Sequence, residues 1–131
     1  MTSSDAYYDD GLRVRREVLG REYVDPQIKR AETDPITAMI QKLVTEFCWG
    51  AVWTRPALPR KTRSMLNLAM LTALDKPEEL KTHIRAALGN GCTREEIGEV
   101  LLHATVYCGV PAGVNAFRHA REVFDKIDGK G

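Results

Sequence analysis

The sequence predicts an all-α fold, a bundle of about six or seven helices. Apolar residues recur at helical spacing over most of the 131 residues, whereas alternation with the period of a strand lasts only a few residues at a time. The stretch from Thr82 to Pro111 contains two helical patterns joined by one tight turn. The length suits a single domain over residues 1–131, with its core at about 34–127 and a helical arm at 1–33.

The arm is predicted to contain two short helices. The first runs from about Asp9 to Leu19 and ends at Gly20, and its apolar stripe is narrow. The second, Asp25 to Ala31, opens with an aspartate and a proline, residue types that suit a cap and a first helical position. A narrow stripe of this kind is typical of an arm packed on a neighbouring subunit.

A longer helix is predicted to begin at Asp34 and Pro35, again a cap followed by a first helical position. It continues to about Trp49, and a loop from Thr54 to Leu58 follows. One face of this helix is apolar and carries Ile36, Ile40, Leu43 and Phe47.

The next helix contains the run Met65 to Leu74, which is apolar on nearly all sides and is therefore expected in the middle of the bundle. Pro77 begins the following helix, and Gly89 and Gly91 end it. The apolar face of that helix carries Leu80, Ile84, Ala87 and Leu88.

Thr93 and Glu96 form a capping box that starts a further helix, antiparallel to the one before it. Pro111 is expected to break the chain ahead of a last amphipathic helix. That helix carries Phe117, Ala120, Phe124 and Ile127.

Composition narrows the classes of function. With 19 basic and 18 acidic residues the net charge is +1, so the chain lacks the basic stripe that binding to nucleic acid needs. Cys48, Cys92 and Cys108 are odd in number and form no Cys-x-x-Cys, which indicates reduced thiols. No apolar run is long enough to span a membrane, and the first residues do not resemble a signal peptide. We expect a cytoplasmic protein that binds neither nucleic acid nor membrane.

The stretch THIRAALGNGCTREEIGEVLLHATVYCGVP, from Thr82 to Pro111, resembles the core repeat of the carboxymuconolactone decarboxylase and alkylhydroperoxidase-D-like superfamily. Two further segments are similar to its gamma-carboxymuconolactone decarboxylase branch, and the likeness extends from about Leu12 to Phe124. They are WGAVWTRPALPRKTRSMLNLAMLTAL, from Trp49 to Leu74, and YCGVPAG, from Tyr107 to Gly113.

The redox branch of that superfamily carries Cys-x-x-Cys-x-x-x-His before the glycine turn. Counting back from His83 places its two cysteines at Lys76 and Glu79, and its upstream glutamate falls on Ser64. Neither the disulfide nor the proton relay of a peroxidase can form from these residues, so the sequence argues against the redox activity.

The resemblance implies decarboxylation of gamma-carboxymuconolactone to beta-ketoadipate enol-lactone and CO2, a step in the protocatechuate branch of the beta-ketoadipate pathway. It also implies a homohexamer. No cofactor is expected, because the substrate's own conjugated lactone carbonyl can accept the electron pair that the departing carboxylate leaves behind. The three histidines are too scattered for a metal site. The protein must then anchor the remaining carboxylate, stabilise the enolate and protonate carbon.

His83 is the leading candidate for hydrogen-bond donor or acid, because it lies beside the apolar face of its helix. Trp49 and Trp53, four residues apart, can form an apolar wall for the leaving group. Arg55, held in extended backbone by Pro56, is the candidate anchor for the acetate arm. We expect His83 and the tryptophan segment to line one cavity. A purely structural role remains open for each of these residues.

Three weaker candidates complete the predicted site. Arg60 lies with Lys61 and Arg63 in the first turn of its helix, where positive charge opposes the helix dipole and suggests an anionic partner, either substrate or a carboxylate of a neighbouring subunit. Tyr107 can donate to the lactone oxygen, and Glu46 can hold His83 in one tautomer or relay a proton. Ordinary structural or solvent-exposed roles remain open for all three.

Three alternatives remain at this level. One is a decarboxylase or isomerase for another small lactone or beta-keto acid. Another is a thiol antioxidant enzyme that uses Cys48 or Cys108. The third is a helical oligomer without catalysis.

Overall fold

The computed structural model describes residues 3–131, and within them every regular element is a helix, which confirms the all-α prediction. The chain divides into two compact units, one ending at Leu58 and the other beginning at Pro59. The prediction of one domain with an arm at 1–33 stays a prediction. None of the helices within 3–131 combines the length and the apolar character that crossing a bilayer requires.

The first unit contains three α-helices and a π-helix: α1 (Ser3–Leu19), α2 (Arg21–Ala31), α3 (Pro35–Leu43) and the π-helix (Val44–Trp53). The π-helix continues α3 directly. The predicted single helix to Trp49 is therefore wrong in its second half, where the hydrogen bonds widen to the i→i+5 pattern that is often found at functional sites.

Two boundaries in the first unit differ from those predicted. α1 begins at Ser3, ahead of Asp9. α2 begins at Arg21 because Gly20, at φ 88°, turns the chain in one residue, so Pro26 lies inside the helix. Asp25, predicted as its cap, instead accepts a hydrogen bond from Nε of Arg16 at 2.7 Å.

Glycines allow α1 and the π-helix to touch backbone to backbone. A Cβ atom on Gly11 would overlap the carbonyl oxygen of Thr45, and one on Gly50 would overlap that of Tyr7. Both glycines are buried. The two helices can therefore pack at this distance only because these positions carry no side chain.

Arg15 joins the elements of the first unit from within. Its side chain is only 3% exposed, and one guanidinium nitrogen donates to Oε1 of Gln41 at 2.7 Å and to Oγ1 of Thr45 at 3.3 Å. The other nitrogen donates to Oε1 of Gln27 at 3.1 Å. Burial lowers the pKa of Arg15. One charged group thus bonds to α2, α3 and the π-helix at once.

The second unit contains α4 (Arg60–Ala73), α5 (Pro77–Gly89), α6 (Arg94–Cys108) and α7 (Val110–Ile127). Their predicted apolar faces meet in one core, and the Thr93–Glu96 capping box forms as expected. The core consists of Leu68, Leu80, Ile84, Ala87, Cys92, Ile97, Leu101, Ala116, Ala120, Val123 and Phe124.

Other expectations for this unit need correction. The break before the last helix lies at Gly109, at φ 108°, and Pro111 belongs to the first turn of α7. Phe117 and Ile127 of that helix are exposed. α4 contacts α5, α6 and α7, as a central helix should, but it buries one face only. On its other side Leu66 and Met70, with Leu74 at the C-terminal cap, are exposed at four-residue spacing, whereas Met65 and Leu71 pack against the core.

Gly11→Ala and Gly50→Ala are each expected to destabilise the protein by about 1–3 kcal/mol or more, because the added methyl group must push two backbones apart. Gly98→Ala is the matched control. Gly98 lies inside α6 with open space around it, so the same change should stabilise by up to about 1 kcal/mol. Urea unfolding measures all three, and equal effects at the three positions would contradict the close approach.

Candidate active site

His83 lies near the middle of α5, half-buried beside the core residues Leu80 and Ile84. Burial lowers the pKa of His83 from 6.5 to about 4. The ring is therefore neutral near pH 7. A neutral imidazole can donate one hydrogen bond and accept one.

One contact of this ring comes from α4. Nδ2 of Asn67 lies 3.3 Å from Nδ1 of His83, and the pair is partly buried. Sequence reasoning did not identify Asn67, although one signal was available. It is the single polar residue in the run from Met65 to Leu71.

The cations of the first turn of α4 do not share one role. Nζ of Lys61 lies 2.8 Å from Oε2 of Glu96, an ion pair that raises the pKa of Lys61 and lowers that of Glu96. Lys61 therefore finds its carboxylate on α6. Arg60 and Arg63 precede Asn67 by seven and four residues, a spacing that places all three on one flank of α4.

The positions at which the redox branch of the resembled superfamily carries its chemistry hold other residue types here. Ser64, at the position of the glutamate, is fully buried, and its Oγ accepts a hydrogen bond of 2.8 Å from Nδ2 of Asn90. Lys76 and Glu79, at the positions of the two cysteines, are exposed at the start of α5.

The thiols give little support to a thiol-based activity. All three cysteines are free, and burial raises the pKa of the thiols of Cys48 and Cys92. A raised pKa leaves less of the reactive thiolate at neutral pH. Cys108 is exposed at the end of α6.

In the first unit the π-helix stacks the two tryptophans. The ring centroids of Trp49 and Trp53 are 4.6 Å apart with planes at 27°, so the predicted shared face is present. The side chains are only 3% and 6% exposed, respectively, and therefore also pack in the interior of this unit. Arg55 is exposed in the segment after the π-helix.

The remaining candidates are placed as follows. Oε1 of Glu46, also on the π-helix, lies 3.6 Å from Nζ of Lys42. Tyr107 is 78% exposed near the end of α6, and its ring lies 5.0 Å from that of His103. Arg60 is half-buried at the first position of α4. The functions of these residues stay predictions.

The model of the carboxymuconolactone decarboxylase family matches residues 39–122, which include both tryptophans, Asn67 and His83. The chain belongs to the carboxymuconolactone decarboxylase family. Within the family it is 42% identical, over 92% of its own length and 88% of the relative's, to the 4-carboxymuconolactone decarboxylase of Acinetobacter baylyi.

A second family member is equally similar. The chain is 42% identical to the nitrosuccinic acid decarboxylase of Metarhizium robertsii, over 95% of this chain and 85% of the relative. Two decarboxylases named for different substrates therefore stand at the same level of identity.

Stability is predicted to fall between pH 7 and pH 5 because of His83. The unfolded chain takes up a proton with a pKa of 6.5, whereas the folded protein resists protonation until about pH 4. The unfolded state therefore binds more protons in this window and is favoured as the pH drops, by at most about 1.4 kcal/mol per pH unit.

Urea unfolding at pH 7 and pH 5 tests this, with His83→Gln beside His103→Gln. The first variant should flatten the pH dependence, and the second, at an exposed histidine, should leave it in place. The same slope in wild type and His83→Gln would contradict the prediction.

Proposed function

We propose that this protein is a cofactor-independent decarboxylase that converts gamma-carboxymuconolactone, also called 4-carboxymuconolactone, to beta-ketoadipate enol-lactone and CO2. The observation that carries the proposal is the 42% identity to a 4-carboxymuconolactone decarboxylase over nearly the whole chain. The reaction belongs to the protocatechuate branch of the beta-ketoadipate pathway.

The chemistry needs an electron sink, and the substrate contains one. When the bond between the ring carbon and the carboxylate breaks, its electron pair moves through the double bond to the lactone carbonyl oxygen. CO2 leaves, and a proton then adds to the carbon beside the carbonyl. The protein's main task is to stabilise the oxygen on which negative charge develops.

His83 suits that task as a neutral hydrogen-bond donor. A neutral N–H in a desolvated site stabilises an enolate oxygen, and its position is already fixed before the charge develops. The lowered pKa therefore favours the donor role over that of an imidazolium acid. We assign Tyr107 to donate a hydrogen bond to the lactone oxygen and Glu46 to relay a proton.

The carboxylate that stays behind needs a cation, whereas the one that leaves does not. A cation on the leaving carboxylate would stabilise the ground state more than a transition state that is losing that charge. We assign Arg55 and Arg60 to the acetate arm, and Trp49 and Trp53 to an apolar surface for the leaving group. Arg63, on the flank of α4 that carries Asn67, is added as a further candidate anchor.

Decarboxylation of nitrosuccinate is a second candidate function, because the relative named for it is equally similar. The two substrates share a succinate skeleton. In each, the leaving carboxylate and a CH2-carboxylate arm are attached to the same carbon. That carbon bears the nitro group in nitrosuccinate, whereas in carboxymuconolactone it is joined to the lactone carbonyl through the double bond. In nitrosuccinate the sink is the nitro group, which becomes a nitronate whose oxygen needs the same N–H donor.

Wild-type protein is expected to release CO2 from gamma-carboxymuconolactone, generated in place from 3-carboxymuconate by its cycloisomerase, without added metal or coenzyme. His83→Ala should lower kcat by about a hundredfold or more, because the donor to the enolate is lost. Arg85→Ala, an exposed change on the same helix, should turn over like wild type.

The same assay with nitrosuccinate separates the two candidate functions, because it compares kcat/KM for nitrosuccinate with kcat/KM for gamma-carboxymuconolactone. Turnover of nitrosuccinate alone would replace the first proposal by the second. A folded wild-type protein that releases CO2 from neither compound would contradict both.

We also propose that the protein is a cytoplasmic homo-oligomer, a hexamer by resemblance. Free thiols suit a reducing compartment. One apolar stripe runs along α3 into the π-helix, and each of its side chains is more than half exposed: Ile36, Met39, Ile40, Leu43 and Phe47. Soluble monomers rarely expose so continuous an apolar surface, and a second copy of the chain would cover it.

Leu43→Glu is expected to reduce the size of the assembly, since it places a charge in the middle of that stripe. Lys29→Glu, which introduces the same side chain at an exposed position of α2, serves as the control. Sedimentation velocity measures both. A Leu43→Glu assembly of wild-type size would contradict the role of the stripe.

A further inference from the structure

The contact between Asn67 and His83 places an amide beside a ring nitrogen that can act as either donor or acceptor. Nδ2 of Asn67, on α4, lies 3.3 Å from Nδ1 of His83, on α5. The two helices pack directly against each other within the second unit, so the contact lies inside one compact body.

The identity of the two atoms decides the direction of the bond. An amide nitrogen only donates, so Nδ1 must present its lone pair to it. A neutral imidazole carries a single ring proton, which then lies on Nε2. Because burial lowers the pKa of His83 to about 4, the ring is neutral at physiological pH and this choice of tautomer applies.

The packing of α4 against α5 does not require an asparagine at position 67. Asparagine is a poor helix former, and every other residue from Met65 to Leu71 is apolar. Core residues such as Leu68, Leu80 and Ile84 already hold α4 against α5. A residue that departs from the local pattern in this way is expected where function requires it.

We infer that Asn67 is a positioning residue: its amide donates to Nδ1 of His83 and keeps the ring proton on Nε2, the atom that donates to the developing enolate or nitronate oxygen. The inference rests on the proposed function for the identity of that oxygen. The tautomer itself does not depend on the proposed function and can be measured without substrate.

Two ion pairs lie on the helices of the second unit. Lys81 of α5 pairs with Glu122 of α7 at 2.8 Å, and Glu96 of α6 pairs with Lys61 of α4. The other two histidines are His103 on α6 and His119 on α7. In nitrogen-15 spectra the ring signals of His83 are assigned as those that disappear in the His83→Gln variant.

Two substitutions of Asn67 test the inference. Asn67→Asp keeps the shape of the side chain but leaves only acceptors, so it should hold the proton on Nδ1 and raise the pKa of His83. Asn67→Leu removes the bond at similar volume. Asn115→Asp is the matched control, because Oδ1 of Asn115 accepts from Arg118 at 3.0 Å and a carboxylate fits there equally well.

Nitrogen-15 spectra of the imidazole ring report the tautomer directly. Wild type and Asn115→Asp should show the proton of His83 on Nε2 at pH 7, and Asn67→Asp should show it on Nδ1 above the raised pKa. Wild type with the proton on Nδ1, or Asn67→Asp with it still on Nε2, would overturn the inference.

Kinetics give a signature that loss of packing alone would not produce. In Asn67→Asp, kcat should fall about a hundredfold as the pH rises through the raised pKa of His83, because the ring then loses its Nε2 proton and keeps the one on Nδ1. In wild type kcat should stay level over the same range, and KM should change little. If wild type turns over neither substrate, the proposed function fails while the ring spectra still decide the Asn67 contact.

Discussion

The backbone contact between α1 and the π-helix is the constraint on which the first unit depends. Gly11 and Gly50 remove the side chains that would hold the helices apart, and the helices then enclose Arg15. A buried guanidinium is costly unless its donors are satisfied. Three side chains from three different elements accept from its two terminal nitrogens, whereas Nε is buried without a hydrogen-bond partner among the described residues, so these bonds offset only part of that cost.

In the second unit the central feature is the imidazole of His83, which is desolvated, neutral and held in one orientation. Desolvation provides the first two properties, since burial among apolar side chains disfavours the charged form of His83. Orientation needs a directional contact, and Asn67 provides it. In the proposed reaction the electron sink belongs to the substrate, so a positioned hydrogen-bond donor is the main contribution asked of this unit.

The sequence predicted what depends on local periodicity and did not predict what depends on geometry between elements. The capping box of Thr93 and Glu96, the core stripe of α5 and the placement of His83 beside it all follow from spacing within a single helix. The π-helix does not, because the spacing of apolar residues does not tell i→i+5 from i→i+4 hydrogen bonding. Arg15 resembled any exposed arginine of an amphipathic helix.

Asn67 was missed for the same reason. Its significance arises from a residue sixteen positions later, and no single-helix pattern contains that contact. The lowered pKa of His83 was likewise invisible, since burial of a ring beside a core stripe is a matter of how neighbouring helices close over it. Lys61 is the opposite case, in which the sequence suggested a ligand that is not needed. Its position at the start of α4 suggested an anionic ligand, but its partner is Glu96 on α6.

The π-helix has a consequence for how this chain can change in evolution. Unless the backbone hydrogen bonding changed to compensate, removing one residue from Val44–Trp53 would move every later side chain of the segment one position around the helix axis relative to α3. Trp49 and Trp53 would then leave the interior of the first unit, and Gly50 would leave its place against Tyr7. The segment therefore tolerates substitution of side chains more readily than insertion or deletion. The number of residues in the π-helix is expected to stay constant while individual side chains change.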